Sequence, residues 1–207
     1  MAESYTLREL ELLARGNVAI EISLGLALAT TANDMLGLVN RALDHIVQEY
    51  QRTPKERKDR TEDGLSIDVV TSLKDLGFQA SHDTTTGGHC DIVIDGIYDF
   101  LWLGEAKIHK SYDWLLQGFN QLDGRYATAA KNQDHGGIVI YCLGERVDQV
   151  MDRWRAHLAA ERPDVTVGER KDGELEFSSS HVHKRTGRQY HVRHLPISLY
   201  WKPIDKA

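Results

Sequence analysis

The chain has 207 residues, 41% of them hydrophobic and 27% charged, and carries a net charge of −6. That length suits one domain with an appendage and a real hydrophobic core, and the acidic balance excludes a generic polycationic nucleic-acid binder while leaving local basic patches open. Two cysteines, the absence of a basic lead-in, and Glu21 interrupting the apolar residues 18–30 predict no disulfide framework, no signal peptide, no membrane span and a cytoplasmic location.

In chain order, residues 7–13 predict a short helix. Val18, Ile22, Leu26, Ala29, Leu36, Val39, Leu43, Ile46 and Tyr50 then keep helical spacing, which predicts one longer helix weakened at Gly25, Asn33 and Gly37. Residues 1–55 are thus expected to form an N-terminal helical segment that packs on the core or makes a homodimer contact, and residues 56–207 the main domain. Between them, 51–60 is basic through Arg52, Lys55, Arg57, Lys58 and Arg60. Thr61 reads as the cap of a helix whose apolar face is Leu65, Val69, Leu73 and Leu76.

Two strand-like runs follow, Gly87-Gly88-His89-Cys90-Asp91-Ile92-Val93-Ile94 and Phe100-Leu101-Trp102-Leu103-Gly104-Glu105-Ala106-Lys107, with Asp95-Gly96 as the turn signal. Leu115, Phe119, Leu122, Tyr126 and Ala129 form a helical stripe, with Gln117, Gln121 and Arg125 on an adjoining one. An apolar strand is expected over 137–143 and an amphipathic helix over 145–161, stopped by Pro163. Strands are expected at 165–167, 175–179, 189–194 and 197–201, with Lys184-Arg185-Thr186-Gly187-Arg188 as a hairpin loop. Residues 181–194 hold Lys184, Arg185, Arg188, Arg193 and four histidines with no acid. Phosphate contacts by Lys184, Arg185 and Arg188 are expected there.

Asp91, Glu105 and Lys107 are charges placed inside apolar strands. Burying an ion costs several kcal/mol unless it is paired or holds a metal, so the three are expected to form one site. Glu105 and Lys107, two apart on a strand, share a face; a returning antiparallel strand sets Asp91 across from Glu105. Two carboxylates and an ammonium suit a hard divalent cation such as Mg²⁺. His89, two residues before Asp91, is expected to share its face and touch the site or its substrate. Cys90 and Cys142 lack short paired spacings with other ligands, so they read as reduced core thiols rather than a zinc site.

The order helix, strand with Asp91, strand with Glu105-Ala106-Lys107, helix, strand, over roughly 61–143, resembles the PD-(D/E)xK nuclease superfamily, with Cys90 where the name has proline. The resemblance implies an α/β restriction-endonuclease-like fold, a mixed β-sheet core flanked by helices. It implies Mg²⁺-dependent phosphodiester hydrolysis with Mn²⁺ able to substitute, most simply by a DNA endonuclease leaving a 5′-phosphate. Asp91 and Glu105 would hold the metal, with the Ala106 carbonyl as a further ligand, and Lys107 would orient or help deprotonate the attacking water. Glu62, with Asp63 as rival, matches the carboxylate that many relatives carry on the first core helix. Gln121, followed by Tyr126, matches the glutamine some relatives place beside their lysine. A stand-alone nuclease of this kind is expected to serve bacterial or phage defence. The alternative is a catalytically silent nuclease-fold module that binds nucleic acid or a protein partner.

Overall fold

The computed structural model describes residues 5–82, 84–85 and 89–203, so Gly87 and Gly88 of the site motif lie outside the described residues. Three helices open the chain: α1 (Leu7–Ala14), α2 (Val18–Leu28) and α3 (Ala32–Arg52). The single long helix expected over 18–50 is therefore two. The break falls at neither glycine nor Asn33 but at Thr30-Thr31, where the Thr31 side chain accepts from the Asp34 amide and the Asp34 carboxylate accepts from the amides of Thr30 and Thr31 at 2.9 and 2.8 Å. That reciprocal cap satisfies the donors a helix start leaves open, so a new helix begins there.

Next come α4 (Glu62–Asp75), capped by Thr61 as expected, and β1 (Gln79–Ser81). A two-stranded ribbon, β2 (Thr84–Thr85) with β3 (His89–Cys90), precedes β4 (Ile92–Asp95) and β5 (Leu101–Ile108). Helix α5 (Tyr112–Gln121) runs into a single π-turn (Leu122–Tyr126), followed by β6 (His135–Cys142), α6 (Val147–Glu161), β7 (Val165–Val167), β8 (Phe177–Val182) and β9 (Gln189–Ser198). The main sheet has seven strands in the order β1-β4-β5-β6-β9-β8-β7; β5, β6 and β9 are parallel and the other pairings antiparallel. The architecture is α/β with a mixed sheet flanked by helices, and both sheet edges are three-residue strands.

The strands expected at 189–194 and 197–201 are one strand, β9, continuing through Pro196. Pairing with β8 ends at Phe177–His194, so from Leu195 onward β9 is bonded on the β6 side alone, where a residue without an N–H is tolerated.

Helices cover both faces of the sheet. On one, α2, α3 and α4 pack through Ile22, Val39, Leu43, Ile46, Leu65 and Leu73 against Trp102, Ala106, Val139, Tyr141 and Ile197. On the other, α5 and α6 pack through Leu115, Phe119, Met151, Trp154 and Leu158 against Val93, Leu103, Ile138, Ile140 and Val192. Of the two expectations for the α3 stripe, packing on the core or a dimer contact, the structure shows the first: Leu43 is 2% exposed and Val39 not at all. Most of the basic segment 51–60 is paired locally, Arg52 with Glu49, Lys58 with Asp59, Arg60 with Asp68, and Arg57 over the Tyr50 ring. Close approach explains Gly104 and Gly137, where an added Cβ would lie 2.7 and 2.6 Å from the Trp102 indole. No described helix is long and apolar enough to cross a membrane.

Candidate active site

β5 has neighbours on both sides, and its residues alternate between the two cores. Trp102 and Ala106 face α3 and α4; Leu103 faces α5, and by alternation so do Glu105 and Lys107. Glu105 is 2% and Lys107 6% exposed. The register Ile92–Gly104 between β4 and β5, continued by one step, sets Asp91 opposite Glu105. Asp91 leaves the strand path there, and its carboxylate accepts from the Ala106 amide at 2.8 Å. Asp91 is thus set level with Glu105, its carboxylate on the amide between Glu105 and Ala106.

Lys107 Nζ donates to Glu105 Oε1 at 2.6 Å and lies 3.5 Å from Glu62 Oε1. Glu62, in the first turn of α4, is fixed by its other oxygen, which accepts from the Ile108 amide at 2.7 Å and from the Trp114 indole N–H at 3.4 Å. It therefore reaches the site from a helix 43 residues earlier than Glu105, while its rival Asp63 is exposed at the surface. Trp114 also presents its ring to the Lys107 ammonium, 5.0 Å away. Gly118 lets α5 close over the pair, since a Cβ there would sit 3.0 Å from Lys107 Cγ and 3.4 Å from Glu105 Cγ.

The electrostatics are unbalanced. Two carboxylates, Glu105 and Glu62, share one ammonium on which the Asp91 charge also acts, and Glu105 Oε2 is shielded from solvent without a hydrogen-bond partner. Burial, and then the Asp91 charge, push the Glu105 carboxyl up to about 7 against the pull of Lys107. Burial likewise raises Asp91, despite the Ala106 amide and Lys107. For Lys107 burial acts downward, but the Glu105 bond and the surrounding acids outweigh it and hold the ammonium above its ordinary value.

No protein-family model, curated protein or solved structure matches the chain. Among the described residues no group of three or more His, Cys, Asp or Glu side chains is arranged to hold a metal ion. What the donor set offers is smaller: two facing carboxylates, Asp91 and Glu105, one with an oxygen lacking any partner. That suits a hard cation held by one or two carboxylates and water. Cys90 and Cys142 are buried free thiols, pushed up to about 12 by burial, which fits the core role and not a thiolate ligand.

Gln121 ends α5, and its Oε1 is shielded without a partner. Gln117, Gln121 and Arg125 line an open groove of about 310 Å³ with Asp113, Leu116 and Asn120. Tyr126, 4% exposed, has its hydroxyl raised first by burial and then by the Glu105 charge. His89 is exposed on the β2–β3 ribbon. Of the basic hairpin, Lys184 and Arg188 are exposed, Arg188 lying 3.9 Å from Asp134, whereas Arg185 donates to the Ala127 carbonyl at 2.6 Å. Arg185 is exposed as well, but its guanidinium is engaged by the chain's own backbone. Three further residues had no sequence signal: Asp123 accepts from His181 Nε2 at 2.8 Å and from Arg162 at 2.9 Å, partners 58 and 39 positions away.

Proposed function

We propose that this protein is a Mg²⁺-dependent nuclease that hydrolyses phosphodiester bonds, most simply in DNA. The observation that carries the reading is the interior charge imbalance: Glu105 and Glu62 share Lys107, Asp91 stands opposite Glu105 in the strand register, and Glu105 keeps an oxygen without a partner. Evolved interiors rarely tolerate uncompensated carboxylates, so a further cation is the physical remedy. Asp91 and Glu105 would hold that ion, with the Ala106 carbonyl beside them. When bound, it would polarise the scissile phosphate and offset the charge that builds on it.

The remaining work falls to the chain. Lys107, bonded to Glu105 and flanked by Glu62, would donate to a phosphate oxygen or hold the attacking water. Glu62 is itself locked by the Ile108 amide and the Trp114 indole, so the ammonium is positioned before substrate arrives. Lys184 and Arg188 would contact backbone phosphates without reading sequence.

The test is incubation of the pure protein with supercoiled plasmid, linear duplex, single-stranded DNA and RNA in Mg²⁺, Mn²⁺ or EDTA, beside Asp91→Ala. Cleavage that needs the divalent ion and vanishes in the variant is expected. Absence of cleavage of every substrate, or undiminished cleavage by Asp91→Ala, overturns the proposal; binding without cleavage would favour a silent nucleic-acid-binding module.

A further inference from the structure

The turn after α5 departs from α-helical geometry: the Ala127 amide donates to the Leu122 carbonyl, five residues back, at 2.9 Å. Widening by one residue brings positions five apart onto one side, as positions four apart lie in an α-helix. Gln121 and Tyr126 are such a pair. Widened turns are rare and unfavourable in isolation, so something outside the turn must hold this one.

Three contacts do so. Asp123, in its middle and 9% exposed, accepts from His181 of β8 on one oxygen and from Arg162, just past α6, on the other. The same Arg162 guanidinium donates to Asn120 Oδ1 at 2.7 Å, spanning the junction between α5 and the turn, and is itself oriented by two bonds to Asp164. Arg185, on the hairpin, holds the Ala127 carbonyl where the turn closes. A near-buried carboxylate answered by two donors from distant elements is costly to assemble if it only ends a helix.

We infer that Asp123, with His181 and Arg162, is a positioning group that keeps the π-turn wound against β5, the strand that carries Glu105 and Lys107, with Gln121 and Tyr126 on one side of the turn. This rests on the nuclease reading for its consequence in catalysis but not for its consequence in structure. Asp123→Asn keeps an oxygen for His181 and loses the charge that holds Arg162; Asp123→Glu restores the charge.

Two measurements test it. Hydrogen exchange of the 120–127 segment should show the Ala127 amide opening at least tenfold faster in Asp123→Asn, with the strands of the sheet unchanged; unchanged exchange at Ala127 overturns the inference whether or not the protein cleaves anything. In the cleavage assay, Asp123→Asn should lower kcat about tenfold at unchanged KM, partly recovered in Asp123→Glu, and should add nothing to the defect of Gln121→Ala, because residues acting through one another are not additive. A full multiplicative loss in the double variant would make Asp123 merely structural. If the wild-type protein cleaves nothing, the nuclease reading fails and the exchange result still decides the role of Asp123.

Discussion

Single side chains set the chemistry here, and the clearest case is Glu105. It lies on an interior strand, bonded to Lys107, with burial and Asp91 raising its carboxyl to about 7. Asp91→Asn should therefore leave folding intact or improved, within about 1 kcal/mol of wild type by denaturant titration, because a carbonyl oxygen still accepts from Ala106 while a buried repulsion goes. On the nuclease reading, cleavage should vanish in the same variant, so retained turnover would separate Asp91 from catalysis. His194 gives the pH prediction. It is fully buried, accepts from the Trp154 indole on Nδ1, pairs with Ser179 through Nε2, and stacks on Phe177, an arrangement that fits only the neutral ring. Burial depresses it to about 3, so the unfolded chain takes the proton first. Stability is then fully present above the ordinary imidazole value and is lost as pH falls toward the folded one, at roughly 1.4 kcal/mol per pH unit for this group. Glu105 runs oppositely between about 7 and 4.5, since its raised value means the native state gains the proton first. Guanidinium unfolding of wild type and His194→Gln at pH 7 and 5 isolates the histidine: the variant should lose less on acidification, and parallel losses would refute the assignment.

At the scale of elements, local pattern and long-range contact separate cleanly. Thr61 followed by Leu65, Val69 and Leu73 marked α4, and the alternation of Trp102 and Leu103 marked β5 as covered on both faces, because caps and strand periodicity are nearest-neighbour physics. The triad was readable for the same reason: Glu105 and Lys107 are two apart, and the turn after Asp95 returns the chain on Asp91. The break before α3 was written in Thr31 and Asp34 but was masked by the unbroken apolar spacing across it. Nothing local marks the π-turn, which is held by His181 and Arg162 from far along the chain. The hairpin shows the same limit: composition alone made Lys184, Arg185 and Arg188 equivalent, whereas Arg185 is tied to Ala127. On the nuclease reading, Lys184→Ala with Arg188→Ala should weaken DNA binding and reduce the slope of log K against log salt by about 2, with kcat preserved at saturation. Arg185→Ala should instead affect turnover; an equal loss of salt slope would return it to the phosphate-binding set.

For the molecule as a whole, the decisive fact is that the N-terminal segment and the sheet share one core. Leu43 of α3 belongs to the same buried cluster as Trp102, Val139 and Ile197 of the sheet, so Leu43→Glu should unfold the protein rather than yield a folded monomer, a charge placed there costing several kcal/mol. Circular dichroism with light scattering checks this, and a folded variant of reduced mass would restore the dimer contact to α3. Arg193 reinforces the same junction, binding Asp44 and the Asn40 carbonyl of α3 as well as Glu176. The remaining exposed apolar side chains cluster toward the start of the chain, with Leu7, Leu12 and Leu13 of α1 about half exposed or more. The two rims of the main sheet bear on how copies could meet. Each is a strand of only three residues, β1 and β7, so neither offers a length of unpaired backbone on which a second chain could add a strand. Self-association by adding a strand at either rim is thereby disfavoured.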